Sequence, residues 1–369
     1  MKLLMNSMDS SPATGKKSSF YYMLEEFSKY WDRIDIICPK ANKPNTLILF
    51  GRVHMHSSTL PKLFQPFYSY YKGRELTKNI KYDLIDSHDG GLHPNGLISW
   101  LLGRKYKIPY ISEILHVMGY PQSKSIKEKL VKIITKYYVY WAKNKALAFR
   151  VMSNQPAAII EGWGVPKYKM IMLKSIYINK DIFHPVVCKK DYDVVFCGRF
   201  DVNKGINLIL EAVIKIKVEF KNFKILLIGS GKYEKKVKNK IVEDELKNNV
   251  EIIKWVETDK DLADYFNRSK IVIVASYSEG GPRYAVEAMS CGVPPVATRV
   301  GVMAEIIEDG KNGFFVDWDS SDIAGKISIL LRDEGLRKKM GEQCIKIADK
   351  YEYKKTIKEL ALGMQGLIH

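Results

Sequence analysis

Short apolar runs alternate with amphipathic segments along the first half of the chain. The apolar runs predict strands at residues 2–5, 34–38, 47–50, 82–86, 110–115 and 148–152. Apolar positions at helical spacing predict helices at residues 18–30, 96–102 and 125–144. Because alternating strands and helices form crossovers of one hand, this half predicts a mostly parallel sheet covered by helices.

The second half shows the same alternation more clearly. Its predicted strands are residues 193–197, 223–228, 250–255, 271–275, 294–298 and 313–316. Its predicted helices are residues 206–218, 233–246, 260–266, 283–289, 323–331, 335–350 and 353–364. Ligands of such sheets bind beyond the carboxyl ends of the strands.

The predicted fold class is therefore α/β, with two Rossmann-like, doubly wound domains facing a cleft. A polar stretch interrupted by proline, at residues 183–190, separates the two halves. We place the first domain at residues 1–185 and the second at residues 186–350. Residues 351–369 are expected to form a last helix that packs back on the first domain.

Two carboxylates flank a glycine-rich turn after the predicted strand 271–275. Glu279 precedes two glycines, and Pro282 suits the first turn of the helix that carries Glu287. The start of that helix offers free N–H groups and a positive dipole end, which favour an anion. Such a site suits a ligand with phosphate and hydroxyl groups, although solvated glutamates on a glycine-rich turn give the same pattern.

Two more glycine turns follow strands of the second half. Arg199 and Lys204 lie between Gly198 and Gly205, where two cations can neutralise a diphosphate without a metal. Solvated surface cations are the alternative interpretation. The other turn consists of Gly229, Ser230 and Gly231. It resembles the opening of a dinucleotide-binding turn but lacks the third glycine, so we interpret it as a close approach to a ligand.

The first half offers fewer candidates. His116 follows the predicted strand 110–115, where an imidazole can bind a sugar or move a proton, and a structural histidine is the alternative. His88 is a weaker candidate of the same kind, and Gly15 can offer its backbone N–H to a ligand. Two Asp-x-Asp strings, at residues 191–193 and 317–319, are interpreted as surface carboxylates, so no metal site is predicted.

Length and composition limit the number of domains and the cellular compartment that we expect. A chain of 369 residues predicts about two domains. No run approaches the roughly 18–20 apolar residues of a membrane-spanning helix, and the first eight residues are too short and polar for a secretory signal. Five scattered cysteines form no Cys-x-x-Cys pair, which argues against disulfides and thiolate metal sites and indicates the cytoplasm.

Positive charge is concentrated in the first half. Residues 1–190 carry 30 Lys and Arg against 13 Asp and Glu, whereas residues 191–369 carry 29 against 28. Such an excess favours an anionic partner, which can be a nucleic acid, a membrane surface or an acidic substrate. Helix-turn-helix and RNA-binding signatures are not found, so a nucleic-acid-binding protein is the least favoured of these.

The region with the densest positive charge also holds an apolar stripe. Residues 124–150 contain eight Lys and Arg against Glu128 alone. The stripe consists of Ile126, Leu130, Ile133, Ile134, Tyr137 and Trp141. A basic amphipathic helix can lie on an anionic bilayer, yet we expect this stripe to pack in the core, with the lysine face left for lipid phosphates. The aromatic residues 64–71 are a second candidate for membrane contact.

Together these segments resemble a GT-B glycosyltransferase, specifically glycosyltransferase family 4, the group 1 type. The Glu–seven residues–Glu motif of the family lies at Glu279 and Glu287. It is followed by matching residues 288–294, Gly301, Glu305 and 313–316, and preceded by the turns at 198–205 and 229–231. The resemblance covers the second half, and the first half matches more loosely at Gly15 and His116.

The resemblance implies a role for each matched residue. Arg199 and Lys204 would hold the donor diphosphate, Glu287 would bind the nucleotide ribose, and Glu279 and His116 would face the transferred sugar. The remaining donor-binding residues would be Gly15, Gly198, Gly229, Ser230, Gly231, Gly281, Pro282, Arg283 and Tyr284.

The activity implied is retaining transfer from a UDP- or GDP-sugar to a glycan or lipid-linked acceptor, without a metal or other cofactor. The enzyme would be cytoplasmic, peripheral at the inner face of the membrane, where its basic domain meets an anionic surface. A catalytically silent nucleotide-sugar-binding subunit and a nucleic-acid-binding protein are the alternatives. The presence of both cations and both glutamates favours the enzyme.

Overall fold

Two separate sheets, each with its own helices and core, organise the chain. The computed structural model describes residues 1–41, 46–88 and 94–368. Unit 1 comprises Met1–Val117, Lys129–Ser175 and Lys354–His369, and unit 2 comprises Met118–Glu128 and Ile176–Tyr353. Both units are α/β, with a mostly parallel sheet in unit 1 and a parallel sheet in unit 2, which confirms the predicted fold class.

The elements are numbered along the chain. The strands are β1 Lys2–Asn6, β2 Arg33–Cys38, β3 Thr46–Leu49, β4 Val53–Ser57, β5 Leu84–His88, β6 Tyr110–Glu113, β7 Ala148–Val151, β8 Met170–Met172, β9 Tyr192–Cys197, β10 Ile225–Ile228, β11 Val250–Ile253, β12 Ser269–Val274, β13 Pro295–Ala297 and β14 Phe314–Phe315. The α-helices are α1 Ser19–Phe27, α2 Gln65–Asn79, α3 Pro94–Tyr106, α4 Ile126–Ala142, α5 Asn154–Gly162, α6 Ile206–Glu219, α7 Glu234–Glu243, α8 Asp259–Asn267, α9 Arg283–Ser290, α10 Met303–Ile306, α11 Ser320–Arg332, α12 Glu334–Ala348 and α13 Tyr353–Gln365. Within the described ranges, no helix has the length and apolar composition needed to cross a membrane.

The sheet of unit 1 has the order β3-β4-β2-β1-β5-β6-β7-β8 over the described residues. The pairs are parallel except β3 with β4, which form an antiparallel hairpin. From β1 the chain moves to β2 on one side and later to β5 on the other. The carboxyl ends of β1 and β5 therefore form a topological switch point, where ligands of such sheets bind.

Several elements of unit 1 are absent from the sequence-based prediction, namely β4, β8, α2 and α5. In β4, His54 and His56 interrupt the apolar run, so the pattern does not indicate a buried strand. Asp35 on β2 accounts for this, because its Oδ1 lies 2.8 Å from His56 Nε2 inside the sheet. The buried polar pair satisfies its own hydrogen bonds, which apolar periodicity does not register.

The apolar stripe of α4 faces solvent, which corrects the prediction that it packs in the core. The exposed residues are Ile126, Leu130, Ile133, Ile134 and Tyr137. The buried residues of α4 are instead Val131, Thr135, Val139 and Ala142. The face with the smaller side chains and the weaker apolar signal is therefore the one that is buried. Trp141 is half-buried beside Trp100, with ring centroids 5.1 Å apart.

The sheet of unit 2 has the order β11-β10-β9-β12-β13-β14 over the described residues, and each neighbouring pair in that order is parallel. Apolar side chains from β9, β10 and β12 pack against α6 and α11. This core includes Val194, Phe196, Leu227, Ile273, Ile209 and Ile323. Of the elements in unit 2, the short α10 is the one that the sequence pattern does not predict.

Two segments explain how the chain divides between the units. The backbone of Ile178 pairs with Tyr351 and Tyr353, at 2.7 and 3.0 Å, so the chain joins unit 2 from Ile176 onward, whereas the sequence analysis places this boundary at residue 185. The segment Met118–Glu128 also belongs to unit 2, because the Gly119 N–H donates to Ser278 Oγ at 2.9 Å.

The connections after β9 and β12 approach each other so closely that one position requires glycine. Gly205 has φ of +67°, in the left-handed region, and a Cβ there would overlap the carbonyl oxygen of Ala275. Gly229, with φ of +145°, lies against the Gly198 carbonyl in the same way. The turns that the sequence analysis selects are therefore close-packed backbone, and their spacing is determined by contacts within unit 2.

We expect Gly205→Ala to lower the free energy of unfolding by about 3 kcal/mol or more, since it combines backbone strain with a steric overlap. Gly310→Ala is the matched control in unit 2, because Gly310 has φ of +77° but a Cβ at that position would meet no atom within 4 Å. That control should lose about 1 kcal/mol from strain alone. Chemical denaturation measures both, and equal losses would show that the Ala275 contact does not constrain the turn.

Candidate functional site

Three glycine-containing connections lie side by side at the carboxyl edge of the unit 2 sheet. They follow β9, β10 and β12, which are neighbours in the sheet. Hydrogen bonds join two of them: the Gly198 N–H donates to the Ile228 carbonyl and the Phe200 N–H to the Ser230 carbonyl, both at 2.9 Å. Gly231 lies against Phe200, where a Cβ would come within 2.6 Å of the carbonyl oxygen. The predicted turn residues are thus brought together at one edge.

Lys204 and Glu279 form an ion pair across this edge. Lys204 ends the turn after β9, and Glu279 lies on the connection between β12 and α9. Both side chains are largely shielded, with 15% and 17% of their surface exposed. Ser276 Oγ lies 3.3 Å from Glu279 Oε2 and holds the same carboxylate. Residues 75 positions apart in the chain are therefore placed in direct contact, as their location on adjacent strand ends predicts.

Arg199 differs from Lys204 in its surroundings. Its side chain is exposed, and it has no hydrogen-bond or ion-pair partner among the described residues. The two cations lie on the same connection but differ in their contacts: Lys204 pairs with the Glu279 carboxylate, and Arg199 is open to solvent. A dianionic ligand at this edge can reach Arg199 without breaking an existing ion pair.

The start of α9 is held by an ion pair of its own. Arg283 Nε donates to Glu287 Oε1 at 2.7 Å, and the guanidinium lies 4.9 Å from the ring centroid of Tyr177. Burial raises the pKa of the Glu287 carboxyl, and the positive charge of Arg283 opposes that rise. Gly281 and Pro282 precede the helix, with Pro282 at the N-cap. Glu287 is thus a buried, paired carboxylate, whereas Glu279 is tied to Lys204.

The side chain of Tyr284 packs into the core of unit 2. Its hydroxyl donates to the Ile273 carbonyl at 2.7 Å, and its ring lies 5.9 Å from that of Phe196. Burial raises the pKa of the Tyr284 hydroxyl well above its usual value, followed in effect by the charge of Glu279. Only the backbone of Tyr284 therefore remains for the predicted contact with a donor.

The sequence analysis does not identify the residues that hold the connection carrying Glu279 in place. Asn203 Nδ2 donates to the Ser278 backbone carbonyl at 2.7 Å, and the backbone carbonyl of Asn203 accepts from the Tyr277 N–H at 2.8 Å. Trp318 Nε1 and Thr298 Oγ1 both donate to the Ser276 carbonyl. These residues hold the Glu279 connection through backbone atoms. Asn203 lies beside Lys204 in the sequence, which is the one signal that could have indicated it.

The two predicted site residues of unit 1 are His116 and Gly15. His116 is half-buried and lies three residues beyond the end of β6. Gly15 has φ of +81°, and its N–H donates to the Pro12 carbonyl at 3.1 Å. In this structure the Gly15 N–H thus closes a turn. The roles of both residues toward a donor stay predictions.

A buried charged cluster lies at the carboxyl ends of β5, β6 and β7. His88 Nε2 is 2.8 Å from Asp86 Oδ2 and 3.3 Å from Glu113 Oε2, and Arg150 forms an ion pair with Glu113. Arg150 also donates to the Lys174 carbonyl and to Ser175 Oγ. The sequence analysis does not select Asp86 and Glu113, because they lie within the predicted strands 82–86 and 110–115, which it interprets as core. The cluster adjoins the switch point of unit 1.

Asp86, His88 and Glu113 have ligand-type atoms within 4.8 Å of one another, the spacing of a metal site. Two cationic side chains, however, already balance the two carboxylates. Burial disfavours a charged His88, but the negative charges of Glu113 and Asp86 outweigh it and raise the pKa of His88 to about 9. We interpret the group as a charge-balanced cluster that closes the strand ends.

Comparison with known proteins gives a family match in the second half of the chain. Residues 178–347 match the family described as Glycosyl transferases group 1. A relative from Methanocaldococcus jannaschii, described as an uncharacterized glycosyltransferase, is 29% identical over 291 residues, which are 78% of this chain and 77% of the relative. The matched family region contains Lys204, Glu279 and Glu287.

Solved structures share the fold over nearly the whole chain. Sucrose-phosphate synthase from Thermosynechococcus elongatus has a TM-score of 0.82 at 21% identity, covering 100% of this chain and 98% of that chain. HepE from Anabaena, solved in complex with UDP-glucose, has a TM-score of 0.76 at 17% identity, covering 99% of each chain. At these identities the likeness establishes the fold.

We expect the stability of unit 1 to decrease as pH rises from about 6.5 to about 9 because of His88. Its pKa is raised in the folded state, so the stabilisation is complete below the unfolded value of 6.5 and is lost as the imidazolium deprotonates near pH 9. The difference in unfolding free energy between wild type and His88→Gln should be larger at pH 6 than at pH 9.5 when measured by chemical denaturation.

His184→Gln controls for the loss of an imidazole, because His184 is exposed in unit 2. Its effect should not follow the same pH profile. A His88→Gln effect of equal size at both pH values would contradict a charged His88.

Proposed function

We propose that this chain is a group 1 glycosyltransferase with the GT-B fold, and that it transfers a sugar from a nucleotide-sugar donor to a glycan or lipid-linked acceptor. The observation that carries the proposal is the contact between Lys204 and Glu279 at the carboxyl edge of the unit 2 sheet. It joins a cation suited to a diphosphate and a carboxylate suited to sugar hydroxyls in one place. Arg199 and the start of α9 border the same edge.

Departure of the nucleoside diphosphate is the step that the cations assist. As the bond to the anomeric carbon breaks, negative charge grows on the diphosphate and positive charge on the sugar. Lys204 and Arg199 would stabilise the diphosphate, since preorganised cations lower the energy of a transition state in which charge develops. Lys204 would exchange its bond to Glu279 for a phosphate oxygen, which leaves Glu279 free to accept from the sugar.

The remaining roles follow the family resemblance. Glu287 would accept from the ribose hydroxyls, and the glycine turns at 198, 229, 231 and 281 would let the backbone approach the donor. Ser230, Pro282, Arg283 and the Tyr284 backbone would complete that lining. His116 and Gly15 would act from unit 1, with His116 toward the transferred sugar. We propose a retaining reaction that needs no metal or other cofactor.

The donor class is supported by the relatives in solved structures. HepE has been solved with UDP and with UDP-glucose, and TarM of S. aureus with UDP and alpha-GlcNAc-glycerol. We propose a UDP- or GDP-sugar for this chain. Its five cysteines are unpaired, which supports a cytoplasmic enzyme, and its basic first half suits an anionic membrane surface that carries a lipid-linked acceptor.

Thermal shift of the purified protein against a panel of nucleotide sugars tests the donor site. We expect one UDP- or GDP-sugar to raise the melting temperature more than its nucleoside monophosphate, because the diphosphate contributes the contacts to Arg199 and Lys204. Following that donor for release of the nucleoside diphosphate, with and without candidate acceptors, distinguishes an enzyme from a silent binding subunit. No shift with any nucleotide sugar would contradict the proposed function.

Lys204→Ala should lower the transfer rate by about a hundredfold or more, as removal of a preorganised charge-stabilising group does. Lys311→Ala is the matched control, because Lys311 pairs with Glu308 in an exposed loop of unit 2. Inhibition by the nucleoside diphosphate product separates two roles. If Lys204 binds the diphosphate, Lys204→Ala should weaken this inhibition, whereas Glu279→Gln should leave it unchanged. Unchanged inhibition in Lys204→Ala would show that Lys204 only holds the Glu279 carboxylate in place.

A further inference from the structure

Helix α4 has two apolar faces, and one of them is turned to solvent. Val131, Thr135 and Val139 form the face that packs within unit 1. The opposite face, which we call the outer face, consists of Ile126, Leu130, Ile133, Ile134, Tyr137 and Tyr140. Ile126 is 78% exposed, Ile133 52% and Tyr137 71%. A row of aliphatic and aromatic side chains at i, i+4, i+7 and i+11 spacing is unusual on a solvent-facing helix.

The outer face is bordered by positive charge. Lys127, Lys129 and Lys136 are exposed on the same helix, and Glu128 is its only acidic residue. Near its carboxyl end, Lys143 Nζ lies 3.9 Å from the Tyr140 ring centroid and Lys145 Nζ 4.7 Å from that of Trp141. Aromatic rings beneath lysine ammonium groups are the arrangement that suits the boundary between acyl chains and headgroups.

Two neighbouring helices continue this surface. Right-handed crossovers in the order β4, β5, β6 and β7 place α2, α3 and α4 on one face of the unit 1 sheet. The contact between Trp100 on α3 and Trp141 on α4 joins two of them. Exposed apolar residues continue onto α2 and α3 at Phe67, Tyr71, Leu97 and Leu101. Basic residues accompany them at Arg104 and Lys105, in the last turn of α3.

We propose that the outer face of α4 docks the chain on an anionic lipid bilayer, with its aliphatic and aromatic side chains inserted among the headgroups. The charge complementarity selects this occupant, because lysines border the apolar row and only Glu128 on the helix opposes them. A nucleic acid would leave the isoleucine and leucine side chains uncovered. A second copy of the chain would bring two lysine borders together.

The docking gives a lipid-linked acceptor a place to meet the enzyme, and to that extent it rests on the proposed function. Its test uses no donor, so the two can fail separately. A helix that lies in the interface gains free energy from buried apolar area and from attraction to anionic headgroups. Both contributions are present here on one face.

Co-sedimentation of the full chain with vesicles tests the proposal. We expect binding to vesicles of phosphatidylcholine mixed with phosphatidylglycerol, and little binding to phosphatidylcholine alone. The double variant Ile133→Ser with Tyr137→Ser keeps every charge. Its affinity for the mixed vesicles should fall by about tenfold or more, because it removes apolar groups that would insert. A Tyr137→Trp variant should show a blue-shifted emission on binding, which requires insertion.

The control is Val218→Ser with Val242→Ser, which removes two exposed apolar side chains from α6 and α7 of unit 2. It should bind as the wild type does. Absence of vesicle binding, or binding that salt abolishes and the outer-face variant leaves unchanged, would overturn insertion. A wild-type dimer that the outer-face variant converts to a monomer, without a change in vesicle binding, would assign the face to a second copy instead.

Discussion

The close approach of Gly205 to the Ala275 carbonyl decides where the charged side chains of unit 2 meet. β9 and β12 are parallel neighbours, so their connections leave the sheet at the same edge. Only a residue without a Cβ lets the turn after β9 lie directly against the end of β12. Lys204, one residue before that contact, is thereby placed within ion-pair distance of Glu279. Backbone packing, rather than attraction between the two charges, is what brings them together.

The charged groups at both sheet edges are balanced within each unit. Lys204 pairs with Glu279 and Arg283 with Glu287 in unit 2, while in unit 1 the Arg150 and His88 cations face two carboxylates. A buried charge is costly unless it is paired, so each of these groups needs a partner when no ligand is bound. In the proposed function, an anionic donor would therefore replace the carboxylate that pairs with Lys204, while the exposed Arg199 would require no such exchange.

The alternation of strands and helices predicts most of unit 2 because its strands are continuous apolar runs and its glycine turns lie at strand ends. The same reasoning finds Lys204 and Glu279, whose chain positions follow adjacent strands. It fails at β4, where a buried His56–Asp35 pair replaces apolar residues. It also fails at α4, where the larger side chains carry the stronger periodic signal although the smaller ones pack. Apolar periodicity reports a face but not which of two faces meets the core.

Tyr284 has a consequence for the helix that follows the Glu279 connection. Its hydroxyl donates to the Ile273 carbonyl of β12, and Arg283 Nε donates to Glu287 Oε1 one turn along the helix. The beginning of α9 thus has little freedom left to lose. The conformational entropy of its backbone amides is therefore lost when the polypeptide folds. Little further entropy would be lost when a ligand binds to them.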